Sequence, residues 1–97
     1  MRIIAISSLR EFWTKHPACE QPLKEWYVKT CYADWASLAD IRNDFNSVDY
    51  VGNQHYVFNI KGNHYRLAIA IKFTPAIVYI RFIGTHDEYL KIDVSTI

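Results

Sequence analysis

The sequence predicts an α+β fold in which helices cover one face of an antiparallel sheet. In the first half of the chain apolar residues recur at helical spacing, and in the second half they occupy every second position. Turn segments at 61–64 and 74–77 separate the alternating runs, which predicts three consecutive strands joined as a meander. Ninety-seven residues suffice for a domain with its own core, so we expect residues 1–97 to form a single domain.

The first half of the chain begins with a predicted strand and a short helix. The segment 2–6 is rich in isoleucine, which favours an extended conformation. Ser8 and Glu11 have the spacing of a capping box, in which each side chain bonds to the main chain of the other residue. We therefore expect a helix that begins at Ser8 and ends before Pro17.

Further helices are predicted on both sides of the meander. Pro22 suits the first turn of a second helix, and Ser37 is a candidate cap for a short third one. The polar segment 43–53 is expected to be a loop. Thr85 and Glu88 have capping-box spacing, which predicts a short C-terminal helix.

Alternation along the strands predicts which side chains face the helices. The apolar positions form one set: Tyr56, Phe58, Ile60, Leu67, Ile69, Ile71, Val78, Ile80 and Phe82. With this set buried, the first turn places Asn59 opposite Arg66, and the second places Arg81 opposite Ala70. A slip of one residue in either hairpin would turn an apolar set into water.

The positions between the apolar residues form a polar face on the other side of the sheet. Its members are Asn59, Arg66, Lys72, Tyr79 and Arg81. Ala68 and Ala70 lie between them and predict a shallow hollow, with Lys61 and His86 at its rim. Arginine binds phosphate through paired hydrogen bonds, and histidine and tyrosine transfer protons or stack on bases, so a nucleic-acid site is predicted. The same pattern is also expected where one face of an antiparallel sheet is simply exposed to solvent and binds nothing.

Composition and motifs exclude several other classes. Residues 55–97 carry five Lys or Arg against three Asp or Glu, a weak cationic balance that suits a polyanion partner. No apolar run approaches the roughly 20 residues of a membrane span, and the N-terminus is too short for a signal peptide, so a cytoplasmic protein is expected. No HExxH motif or acidic ligand set is present, and His55 and His64 are expected at the surface, so neither metal nor cofactor is predicted.

Three segments of the second half resemble the HigB family of bacterial toxins, within the RelE-like superfamily. They are residues 56–60, 62–67 and 79–89. The resemblance implies an endonuclease that cuts messenger RNA on the ribosome and needs no metal. It also implies neutralisation by a helix-turn-helix antitoxin of the HigA type.

The resemblance also assigns roles to residues of the polar face and of the C-terminal helix. The family's recurring polar positions fall on Asn59, Arg66, Arg81, His86 and Tyr89. As catalytic groups, Arg66 and Arg81 are expected to hold the scissile phosphate, and His86 and Tyr89 to transfer protons or orient a base. The residues expected to bind the rest of the RNA are Asn59, Lys61, Lys72 and Tyr79.

Two non-catalytic functions remain open for the same fold. ParE-like relatives poison gyrase without cutting RNA, and a degenerate toxin would only bind its antitoxin and operator. Convergence of Arg66, Arg81 and His86 within a few ångströms favours the nuclease, whereas divergence of these side chains favours a binding module.

Overall fold

The computed structural model describes residues 1–97 and contains five strands and four α-helices. The strands, in chain order, are β1 Arg2–Ile4, β2 Val48–Gly52, β3 His55–Ile60, β4 Tyr65–Lys72 and β5 Ile77–Thr85. The helices are α1 Ser7–Lys15, α2 Glu20–Tyr32, α3 Leu38–Asp44 and α4 His86–Tyr89, with a 3-10 turn at Pro17–Cys19. The predicted α+β class is confirmed.

All five strands belong to one sheet with the order β1-β5-β4-β3-β2. The predicted antiparallel meander of β3, β4 and β5 is confirmed, and β1 adds to β5 in parallel. The expectation of a loop over 43–53 is wrong, because Val48–Gly52 pairs with β3 as an edge strand. An edge strand with few apolar residues gives little alternation, and pairing to β3 overrides its weak local preference.

The first helix begins without the predicted capping box. Its first residue is Ser7, the residue before it is Ile6, and no side chain caps the first turn. Ala5 has a positive φ of 73°, so the chain turns sharply before the helix and places Ile6 already in helical conformation. The main-chain N–H of Ser8 then donates to the main-chain oxygen of Ala5, so it needs no side-chain cap.

The hydrophobic core lies between the helices and one face of the sheet. Its fully buried side chains include Leu9, Leu23, Trp26, Ile41, Phe58, Leu67, Ile69, Ile71 and Val78. Every member of the apolar strand set predicted from alternation belongs to this core except Phe82. Burial of this one face fixes the direction of the side chains along most of the meander.

The second hairpin closes one residue earlier than predicted. Lys72 pairs with Ile77, which places Tyr79 opposite Ala70, so the predicted opposition of Arg81 to Ala70 is wrong. The two pairings differ by two positions, and such a shift leaves each side chain on the same face. Alternation therefore cannot distinguish them, and the geometry of the turn decides.

A β-bulge then interrupts the register inside β5. Ile80 pairs with Ile69, but Phe82 pairs with Ala68, the adjacent residue of β4, so Arg81 has no partner on β4. An extra residue in one strand reverses the faces of the side chains beyond it. The predicted burial of Phe82 against the helices is therefore wrong.

Beyond the bulge, Ile83 takes the place expected for Phe82. It lies opposite Leu67 and packs against the core, whereas Phe82 shares a face with Ala68. We call this side, opposite to the helices, the outer face of the sheet. Alternation places Arg66, Lys72 and Tyr79 on this face, and the bulge adds the Phe82 ring to them while Arg81 falls in the bulge itself.

The C-terminal segment reaches the outer face at the start of β3. The Asn53 amide donates to the main-chain oxygen of Ser95 at 3.0 Å. The ring nitrogens of His55 lie 2.8 Å from the oxygen of Asn53 and 2.9 Å from that of Ile97. His55 is 4% exposed, so its expected surface position is wrong. Ala68 is 0% exposed, so the predicted hollow is filled.

Replacing His55 by alanine is expected to lower the free energy of unfolding by about 2 kcal/mol. The variant leaves a cavity and removes the partner of the main-chain oxygens of Asn53 and Ile97. Urea unfolding followed by tryptophan fluorescence measures the change. His64→Ala is the control, because His64 is exposed and its loss should change stability by less than about 0.5 kcal/mol. Equal stability of the two variants would show that His55 does not hold the C-terminal segment.

Candidate nucleic-acid site

Arg66 lies at the end of the sheet where β4 begins and β5 runs into α4. It stands opposite Gly84, and its Nη1 donates to the main-chain oxygens of Asn63 at 3.1 Å and Tyr65 at 3.2 Å. Its guanidinium carbon is 6.0 Å from the ring centre of Tyr89. The turn and α4 thus hold the guanidinium from two sides while the remaining N–H groups stay free for an anion.

The capping box predicted at the last helix is confirmed, and it sets the position of α4. The main-chain N–H of Thr85 donates to Glu88 Oε1 at 2.8 Å, and that of Glu88 donates to Thr85 Oγ1 at 3.2 Å. These hydrogen bonds from Thr85 lower the pKa of the Glu88 carboxyl below its ordinary value. His86 and Tyr89, the first and last residues of α4, are held in place by this box.

Glu88→Gln is expected to destabilise the chain by about 0.5 kcal/mol near neutral pH, a small value because the carboxylate is exposed and screened by water. A lowered pKa stabilises the fold above the ordinary value of 4.5, and this contribution is lost as the pH falls through the lowered value. Wild type and variant should therefore become equally stable in acid, once the pH is below that lowered value. Urea unfolding near neutral pH and in acid measures this, with Asp87→Asn as the control for a neighbouring carboxylate. If Glu88→Gln stayed less stable than wild type in acid, the Glu88 carboxylate would not be the source of the stabilisation.

Two histidines meet beside Arg66. The main-chain N–H of His86 donates to the main-chain oxygen of His64 at 3.1 Å, and both residues are exposed. His64 was expected merely at the surface, because a turn position gives no sign of what lies across from it. The β4–β5 pairing is what brings it to His86.

Aromatic side chains complete this end of the outer face. The rings of Phe82 and Tyr89 lie 6.3 Å apart, and the Phe82 ring covers Gly84 so closely that a Cβ there would stand 2.5 Å from Phe82 Cζ. Only glycine leaves room for the ring at this position. Sequence reasoning missed Phe82, and the one signal for it was a glycine inside an otherwise bulky strand.

Arg81 stands apart from Arg66. Its guanidinium carbon lies 5.1 Å from the ring centre of Tyr79, and its side chain lines a groove against α1 together with Glu11 and Lys15. Position 81 is three residues along β5 from the partner of Arg66, a separation of roughly 10 Å. The two arginines therefore do not converge, although Arg66 and His86 lie at the same end of the sheet.

The other predicted RNA-binding residues are spread along the sheet. Asn59 lies opposite Arg66 as predicted, and its amide donates to Ser47 Oγ. Lys61 lines a groove against α2, on the helix side of the sheet. Lys72 ends β4, six residues from Arg66 and so roughly 20 Å away.

Two further structural findings bear on function. The side chains form no group of three or more His, Cys, Asp or Glu residues that could hold a metal ion. None of the helices is both long and apolar enough to cross a lipid bilayer.

A central sheet with helices on one face and a short C-terminal helix is compatible with the fold of the RelE-like toxins. A family model described as HigB_toxin, the RelE-like toxic component of a toxin–antitoxin system, matches residues 19–92. The chain belongs to this HigB toxin family and is the toxin of a toxin–antitoxin system.

Relatives of known name agree with this family. Over 92 residues the chain is 28% identical to the mRNA interferase toxin HigB of Escherichia coli (strain K12). The aligned region covers 92% of this chain and 88% of the relative. The proteins named mRNA interferase HigB in Escherichia coli O157:H7 and Shigella flexneri show the same identity and coverage. The resemblance stated from the sequence is thereby confirmed.

Proposed function

We propose that the chain is an endoribonuclease that cuts messenger RNA on the ribosome. In this proposal it works in the cytoplasm as one domain and is neutralised by a helix-turn-helix antitoxin of the HigA type. The observation that carries the proposal is the position of Arg66 beside His86 and Tyr89 at the open end of the sheet. The names of the relatives, which call them mRNA interferases, support the same activity.

The proposed reaction uses the 2′-hydroxyl of the RNA as its nucleophile. The 2′-oxygen bonds to the adjacent phosphorus while the bond from phosphorus to the 5′-oxygen breaks. The hydroxyl proton goes to a base, and the departing 5′-oxygen takes a proton from an acid. The products are a 2′,3′-cyclic phosphate and a 5′-hydroxyl end. Because the nucleophile belongs to the substrate, the proposed step needs no metal or cofactor.

Each side chain of the site has a proposed part in this step. Arg66 stabilises the negative charge that develops on the phosphate oxygens, because only its Nη1 is engaged by the chain and its other N–H groups are left for the phosphate. His86 transfers a proton, since an imidazole changes charge near neutral pH. Tyr89 orients the neighbouring base or shares the proton transfer, and its ring already lies against the guanidinium of Arg66.

The remaining proposed contacts lie further along the RNA. Arg81 binds a phosphate flanking the scissile one, because roughly 10 Å separates it from the position opposite Arg66. Asn59, Lys61, Lys72 and Tyr79 contact other nucleotides or phosphates of the same strand.

Cleavage mapped at the ends of the products tests the proposed function. Purified toxin added to ribosomes that carry a defined message should leave 5′-hydroxyl ends, which accept an adapter only after phosphorylation. Toxin stripped with a chelator and then dialysed should cut equally fast. Loss of cleavage after stripping would contradict the metal-independent reaction.

The separation of Arg81 from Arg66 is what a non-catalytic relative would show, and it favours the gyrase poison as the second candidate. A supercoiling assay distinguishes the two. The proposed nuclease should leave gyrase active at concentrations that cut all of the message. Inhibition of gyrase together with intact message would replace the nuclease by the gyrase poison.

Arg81→Ala is expected to raise KM about 10-fold and to leave kcat within about twofold, because the loss of one flanking phosphate contact weakens binding alone. Steady-state cleavage at several salt concentrations measures this. The slope of log affinity against log salt concentration should become shallower by about one. Arg42→Ala, which removes the same charge from α3, is the control. A large fall in kcat with KM unchanged would place Arg81 at the reacting phosphate instead.

A further inference from the structure

We infer that His64 is a second catalytic histidine, which works opposite His86 as its partner in proton transfer. The inference rests on the proposed nuclease function and names a residue beyond those that the family resemblance assigns. It is carried by the place of His64 in the β4–β5 ladder and by the freedom of its imidazole.

The ladder brings the two histidines face to face. Tyr65 pairs with Thr85 at the end of the β4–β5 hairpin. The hydrogen bond from the His86 N–H to the His64 oxygen, at 3.1 Å, extends that antiparallel pairing by one more position. His64 ends the turn and His86 begins α4, so this hydrogen bond sets the two residues at adjacent positions, from which both imidazoles can reach one phosphate group.

The packing of Tyr65 shows which way Arg66 points. The Tyr65 ring lies 5.6 Å from the ring of Phe12 on α1 and 5.8 Å from that of His16, the residue after α1, so Tyr65 faces the helices. Tyr65 and Arg66 are successive residues of β4, so Arg66 faces outward. His64 is the turn residue just before β4, two residues from Arg66, and its ring centre lies 6.4 Å from that of Tyr65.

The imidazoles of His64 and His86 are free to meet a substrate. Both residues are exposed, and the imidazole hydrogen bonds within the chain belong to His55. His16 differs from the pair as well, because its ring stacks on Phe12 at 4.3 Å. The His64 ring lies 6.4 Å from that of Tyr65, but neither it nor the His86 ring makes a hydrogen bond within the chain.

The reaction needs two proton carriers at once. One imidazole, neutral, takes the proton of the 2′-hydroxyl, while the other, protonated, gives a proton to the departing 5′-oxygen. One histidine cannot do both in a single displacement, and a pair with one neutral and one protonated imidazole supplies one of each. The titratable groups of the adjoining elements, which set the field around the pair, are Lys61 and Tyr65 beside the turn, Arg66 on β4, His16 after α1, and Asp87, Glu88 and Tyr89 on α4.

Rates of ribosomal message cleavage measured across pH test the inference. His64→Gln should lower kcat about 100-fold, the usual contribution of a general acid or base, with KM within about twofold. The wild type should show a bell-shaped profile. His64→Gln should lose one limb of it, and His86→Gln should lose the other. His16→Gln is the matched control, and it should keep both limbs.

The outcomes separate this inference from the function on which it rests. A wild type that leaves message uncut on ribosomes overturns the proposed nuclease, and the role of His64 with it. A wild type that cuts, beside a folded His64→Gln variant with the same rate and profile, overturns the role of His64 alone. Circular dichroism checks the fold of each variant. The reciprocal loss of the two limbs supports the pair, since a merely structural role would lower the rate without changing the shape of the profile.

Discussion

Arg66→Ala should lower kcat for cleavage of ribosome-bound message about 1,000-fold, the upper range for loss of one group that stabilises a developing oxyanion. The guanidinium is held by the oxygens of Asn63 and Tyr65 and lies against the Tyr89 ring, so it is oriented before any RNA arrives. Orientation in advance removes the need to rearrange at the moment of reaction. Single-turnover cleavage with saturating toxin measures the effect on the chemical step.

Two further variants make this result specific to the guanidinium. Arg66→Lys keeps the charge but loses the planar pair of donors, and it should recover only part of the rate. Arg42→Ala removes an arginine from α3, far from the site along the chain, and should cut like wild type. If Arg66→Ala and Arg42→Ala cut at the same rate, the site described at the end of the sheet is not where the phosphate reacts.

Much of the fold follows from alternation and turns alone. Alternation along β3 and β4 excludes a slip of one residue, and the four-residue turn at 61–64 selects among the remaining registers, so the opposition of Asn59 to Arg66 was predictable and is confirmed. The capping residues Thr85 and Glu88 likewise defined the start of α4 from their spacing. These features are local, or they depend on the burial of a single face, and both kinds of information are present in the sequence.

The parts that sequence reasoning missed depend on long-range contacts. β2 forms because β3 offers it hydrogen bonds, and the Ala68 hollow is filled although the residues around it alternate as expected. The burial of His55 depends on the oxygen of Ile97, 42 positions away. No pattern within a short window contains such a partner, so these features needed the structure.

The candidate site was predictable in part for the same reason. Arg66 and His86 were found because regular strands and a capping box place them. Phe82 was assigned to the wrong face, because perfect alternation through Ile80 and Phe82 conceals the bulge between them. Sequence reasoning did not single out His64, because its proposed role depends on His86, which lies beside it only in the folded chain.

Deletion of Arg81 should change the free energy of unfolding by less than about 1 kcal/mol, whereas a residue removed from a regularly paired strand should cost about 4 kcal/mol or more. Without Arg81 the strand reads Ile80, Phe82, Ile83. Regular alternation then keeps Ile80 opposite Ile69, Phe82 opposite Ala68 and Ile83 opposite Leu67. The deletion therefore removes only the bulge and leaves the core and α4 in place. Urea unfolding measures the change.

Arg81→Ala separates the backbone effect from the loss of the side chain. The side chain is exposed, so the substitution keeps the bulge and should change stability by less than about 0.5 kcal/mol. A deletion variant less stable than the substitution variant by about 4 kcal/mol or more would mean that β5 runs without a bulge, with Phe82 against the helices. Phe82 would then leave the outer face, and the aromatic wall beside Tyr89 would be lost with it. The shape of the candidate site thus depends on one additional residue in β5, because the bulge at Arg81 places the Phe82 ring on the outer face.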